Sequence, residues 1–167
     1  MVNWLIGELV NRRVRLNVSP IKRLNKLQIK QLNNTIMYQY SFEKLEVWQC
    51  SRVLVKEIYN LTANFPPKEN YGLSSQIQRA VVSVASNIAE GMGRTAEKEQ
   101  IRFLEISYGS LMETYCQICL SLDLAYINQD QFDNLKTQID KIANKINGLS
   151  KSIKERLNNK QSNEETK

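Results

Sequence analysis

Apolar residues recur along this chain with a helical period. Ile101, Leu104, Tyr108, Leu111, Tyr115, Ile118 and Leu122 follow one another at spacings of 3, 4, 3, 4, 3 and 4. Phe132, Leu135, Ile139, Ile142, Ile146, Leu149 and Ile153 repeat the same spacings. A 3.5-residue repeat keeps every member on one face of a helix, so each run predicts a buried seam. Upstream, Leu45, Trp48, Val55, Tyr59 and Thr62 mark one stripe, and Val47, Leu54, Ile58, Leu61 and Phe65 mark its neighbour. Two adjacent stripes make the wide apolar face that a bundle core needs. Pro66-Pro67 ends this first helix, because neither residue can donate a helix hydrogen bond.

The pattern therefore predicts four helices. The first runs from Ser41, as N-cap, to Phe65. The second ends at Gly91-Met92-Gly93, the third begins at Thr95 as N-cap, and the fourth begins at Asn128 with Gln131 at the capping-box position. Short connections make neighbours antiparallel. The fold class is all-α, an antiparallel up-down four-helix bundle.

The second helix departs from an ordinary amphipathic pattern. Between Ser74 and Gly93 only Arg79 and Glu90 are charged. Ile77, Val81, Val84 and Ile88 form one apolar stripe, and Val82, Ala85, Ala89 and Met92 form a second. Ala80, Ser83, Ser86 and Gly91 are small enough for another backbone to approach closely. A helix without a charged face is covered on most of its circumference. The bundle covers one side, and a second copy of the chain is the simplest cover for the other. Val82, Ala85 and Ala89 are the expected interface. Asn87, Glu90 and Arg94 are expected to form a polar clasp that fixes the turn and the subunit packing.

On the third helix Phe103, Ile106, Cys116 and Leu120 lie off the seam and predict a second buried side. Gly109 costs about 1 kcal/mol relative to Ala in a helix interior, which a close helix approach would offset. Cys116-x-x-Cys119 lies within a helical pattern with no second pair, so a buried structural thiol pair is expected rather than a metal or redox site.

Charge changes the picture at one end. The chain of 167 residues carries 23 Lys and Arg against 17 Asp and Glu, a net +6. Arg12, Arg13, Arg15, Lys22, Arg23, Lys26 and Lys30 against Glu8 account for all of it, so residues 37–167 are balanced. Residues 1–36 have three readings: a basic arm that binds a polyanion, a loosely docked helix, or a segment upstream of a true start at Met37. A second basic feature is the outer face of the fourth helix, where Lys136, Lys141, Lys145, Lys151, Lys154 and Lys160 alternate with acids. Lys141 and Lys145 are its candidate nucleic-acid contacts, against the plainer reading of a solvated face. Residues 37–158 are expected to form the bundle and 159–167 a frayed polar tail.

There is no histidine, which excludes His-based nucleophilic catalysis and His metal sites. No phosphate-binding loop or Glu-x-x-His motif occurs, so no enzyme activity and no cofactor are expected. No apolar run approaches the about 20 residues of a membrane span. The start, MVNWLIGELVNRR, has its positive charge after the apolar part, the wrong order for a signal peptide. A cytoplasmic location is expected.

The run YGLSSQIQRAVVSVASNIAEGMGR (71–94), with FEKLEVWQ upstream and FLEISYGSLMET downstream, resembles the four-helix-bundle proteins encoded within 23S rRNA intervening sequences. Relatives of the accessory protein of diversity-generating retroelements belong to the same family. The resemblance covers residues 40–157. It implies a homopentameric ring, no enzymatic activity and a nucleic-acid role. The resulting expectation is a non-catalytic homo-oligomer that binds RNA or DNA. The alternative is an adaptor whose ring binds another protein.

Overall fold

The computed structural model describes residues 39–165. Four helices follow one another: α1 (Glu46–Thr62), α2 (Leu73–Met92), α3 (Glu97–Asp123) and α4 (Gln129–Glu165). Among the described residues there is no strand. Each helix packs on its neighbours, and α1 closes the bundle against α4. The expected bundle is the one observed.

The two seams are its core. Ile101, Leu104, Leu111 and Ile118 of α3 are buried, as are Leu135, Ile139, Ile142, Ile146 and Ile153 of α4. They meet Val47, Leu54 and Ile58 of α1 and Ile77, Val81, Val84 and Ile88 of α2. Most of these side chains exclude water completely, and each such burial contributes about 1.5–3 kcal/mol.

Helix ends show where local signals prevail. Asn128 and Gln131 make the expected capping box. The Asn128 side-chain oxygen accepts from the Gln131 amide at 2.9 Å, and the Gln131 side-chain oxygen accepts from the Asn128 amide at 3.0 Å. Other boundaries differ from expectation, and α1 ends at Thr62 rather than at Phe65. Ser41–Lys44 is a 3-10 turn, and α1 starts after Leu45. That turn lets Phe42 meet Trp48 edge-on, with ring centroids 4.9 Å apart. The cap of α3 is Ala96 rather than Thr95, with Gln100 Nε2 donating back to Arg94 O at 2.7 Å. Finally, α4 continues helical to Glu165, through most of the stretch expected to fray.

α2 and α3 approach closely at Gly91. A Cβ on Gly91 would lie 2.9 Å from Phe103 Cβ and 3.4 Å from the Gln100 carbonyl. Ser83 Oγ lies 2.9 Å from Ser110 Oγ on the same side. The small residues of α2 thus admit α3 of the same chain. Ser107 Oγ donates to the Val84 carbonyl at 2.9 Å across this seam, which satisfies a hydroxyl that is fully buried.

Candidate functional site

The basic arm residues Arg12, Arg13, Arg15, Lys22 and Arg23 lie outside the described residues. The lysine face of α4 is described, and its electrostatics are not those of a bare cationic stripe. Lys145 Nζ lies 2.8 Å from Glu46 of α1, and Lys141 Nζ lies 4.0 Å from the same carboxylate. Lys136 pairs with Asp140 at 2.6 Å and Lys151 with Glu155 at 4.0 Å along α4. Lys154 reaches Glu105 of α3 at 3.7 Å, and Lys160 pairs with Glu97 at the start of α3. All six lysines of the face have a carboxylate partner. The Lys145 hydrogen bond and charge, with Lys141 behind them, hold the Glu46 carboxyl below its usual range. The Lys160 hydrogen bond and the helix's own amide do the same for Glu97, while Asp140 raises Lys136. Exposed pairs of this kind contribute little to stability and can exchange for phosphate, but each lysine meets a ligand already neutralised.

On α2, Val82 is 38% exposed, and Ala85 and Ala89 are half-buried. Val82 lines an open cleft of about 360 Å³ between α1 and α2 with Tyr59, Gln78 and Arg79. Tyr59 itself is 46% exposed, although the sequence assigned it to a core stripe.

The three polar residues at the end of α2 do not form one group. Asn87 Nδ2 donates to the Ser83 carbonyl at 2.8 Å and to Ser83 Oγ at 2.9 Å, and Ser83 Oγ lies 2.9 Å from Ser110 Oγ of α3. Glu90 pairs separately with Arg94, whose guanidinium sits 4.9 Å above the Phe103 ring. These contacts tie α2 to α3 within one chain.

The outer side of α3 also differs from expectation. Ile106 is 43% exposed and Leu120 46%. Cys116 is an exposed free thiol, so the buried thiol pair is not formed, and Cys119 beside it is half-buried. A Cβ on Gly109 would meet nothing within 4 Å. Only Phe103 of the expected second side is packed, beneath Arg94. Periodicity showed that these positions share a face; it could not show whether the chain itself covers that face.

One polar cluster had no sequence signal. Glu57 of α1 accepts from Gln138 Nε2, and Asn134 Nδ2 approaches the same oxygen at 3.5 Å. Glu57 and Asn134 border a 280 Å³ groove that Asn60, Asn64 and Gln131 also line. Among the described residues, no three His, Cys, Asp or Glu side chains are grouped to hold a metal ion. No helix among them is long and apolar enough to cross a membrane.

Comparison with known proteins bears on this geometry. Residues 43–148 match the model of the family described as 23S rRNA-intervening sequence protein. A crystal structure of a protein of unknown function from the S23 ribosomal protein family of Bacteroides thetaiotaomicron is similar in fold, with a TM-score of 0.57 at 22% identity. That likeness covers 63% of this chain and 98% of the other. No curated protein matches. With the match spanning most of the bundle, the chain belongs to the 23S rRNA-intervening sequence protein family.

Proposed function

We propose that this protein is a non-catalytic, cytoplasmic module that self-associates and binds RNA or DNA. The observation that carries the self-association is the outward side of α2. Twenty residues of helix present only Arg79 and Glu90 as charges, with Val82 and Tyr59 open to solvent beside half-buried Ala85 and Ala89. The nucleic-acid part rests on the cationic 1–36 segment and on the family's association with rRNA. Self-association would bring several such segments together, so that individually weak phosphate contacts act at high effective concentration.

The test is RNA and duplex-DNA binding by the full chain across a salt series. Phosphate contacts require a log-log slope of about −0.9 per contact on duplex DNA. Replacing Arg12, Arg13, Arg15, Lys22 and Arg23 with Gln should flatten that slope. Lys141→Glu with Lys145→Glu should have the smaller effect, since both lysines share a carboxylate. The ion-paired α4 lysines favour a second reading, an adaptor that binds another protein. Absence of any salt-dependent nucleic-acid binding would replace the first reading with the second.

A further inference from the structure

Among the described residues, three cations sit over aromatic rings. Arg94 lies over Phe103 and Lys136 over Tyr115, and each is also paired with a carboxylate, Glu90 and Asp140 respectively. The third differs. Arg52 of α1 holds its guanidinium 4.8 Å from the centre of the Trp48 ring and has no carboxylate partner among the described residues.

Arg52 ends a row of rings. Tyr40 stacks on Phe42 with centroids 5.8 Å and planes 15° apart, and Phe42 meets Trp48 edge-on. Trp48 packs against the bundle core, which anchors the row, while Tyr40 is 57% exposed and Arg52 is exposed at the other end. Lys56 follows one turn after Arg52 on the same face of α1. It too is exposed and has no carboxylate partner among the described residues. The two acids of α1 are engaged on the α4 side, Glu46 by Lys145 and Glu57 by Gln138. Glu43, in the turn before α1, pairs with neither cation. This edge therefore differs from the α4 face, where every lysine has an acid.

The chemistry of the edge selects its ligand. A guanidinium laid flat on a ring offers its outer face to a second planar group, while its N–H edge still seeks an anion. Nucleotides of an unpaired strand supply both, a base to stack and a phosphate to pair. A duplex keeps its base faces stacked on one another, so it offers only the phosphate. Tyr40 lies soon after Lys30, the last basic residue of the cationic segment, with no charged residue between them.

We propose that Arg52, held on Trp48, stacks an unpaired base of single-stranded RNA or DNA, with Lys56 on the adjoining phosphate. The site rests on the nucleic-acid reading above and gives it a place on the bundle. It uses none of the residues of the Val82 cleft.

The experiment is anisotropy titration of the full chain with a short labelled single-stranded RNA and with a duplex DNA of equal length, across a salt series. Circular dichroism verifies folding. Arg52→Lys keeps the charge and removes the plane. It should weaken single-strand binding about fivefold or more, leave its salt slope unchanged and spare the duplex. Lys56→Gln should flatten the single-strand log-log slope by about 0.7. An Arg52→Lys variant that binds both probes like wild type, or that loses both equally, would overturn the stacking site. An unchanged slope for Lys56→Gln would remove Lys56 from it. If wild type binds while Arg52→Lys changes nothing, only this site fails. A wild-type chain that binds neither probe removes both the site and the nucleic-acid reading.

Discussion

The Tyr126 hydroxyl donates to Glu69 Oε1 at 3.0 Å, while Glu69 Oε2 accepts the Leu73 amide at 3.0 Å. One carboxylate thereby caps α2 and ties the α1–α2 connection to the α3–α4 connection. Phe65 and Tyr126 pack beside it, with centroids 5.3 Å apart. Gly72 leaves room for the arrangement, because a Cβ there would lie 2.6 Å from Glu69 Oε2.

The Leu73 amide, and then the Tyr126 hydroxyl, hold the Glu69 carboxyl below its usual range. Its stabilising effect is complete above the ordinary carboxylate pKa of about 4.3 and is lost as pH falls through the lower folded value. Glu69→Gln should lower Tm at pH 7 and flatten the acid limb of a Tm-against-pH curve. Tyr126→Phe should do less, and a double-mutant cycle should show the two coupled.

Gly91 and Gly148 should respond oppositely to alanine. At Gly91 the new Cβ meets Phe103 Cβ at 2.9 Å, whereas at Gly148 it meets nothing within 4 Å. Gly148→Ala should gain about 1 kcal/mol from helix propensity. Gly91→Ala should lose up to about 2 kcal/mol, since overpacking outweighs that gain. Denaturant melts of the two variants decide this.

Ala125 has φ 56°, the left-handed region. It follows the C-cap of α3 in a Schellman arrangement, with the Tyr126 amide on Ser121 O and the Ala125 amide on Leu122 O, both at 2.9 Å. Ala125→Gly should raise stability by about 1 kcal/mol, read as a shift in denaturant midpoint.

Glu46 faces both Lys141 and Lys145. Glu46→Gln releases two cations on the α4 face. It should raise affinity for duplex DNA about threefold at low salt and steepen the salt slope. An unchanged slope would show that these lysines touch no phosphate.

The sequence by itself determined what short-range periodicity encodes. The seams of α3 and α4, the proline stop at Pro66-Pro67 and the Asn128–Gln131 capping box follow from spacings of three and four residues along one helix. The same local rules misplaced the start of α1, because packing of Phe42 on Trp48 competes with the N-cap preference of Ser41. Only the tertiary structure decided what each face meets. It gave Gly91 a crowded site and Gly109 an open one, although both are helical glycines. It set Glu46, Glu97 and Glu105 beside lysines of α4, so that an apparent cationic stripe is neutralised by acids distant in the chain. It also left Ile106 and Leu120 in solvent. Periodicity defines which residues share a face; which surface lies opposite depends on how separate helices are brought together in space.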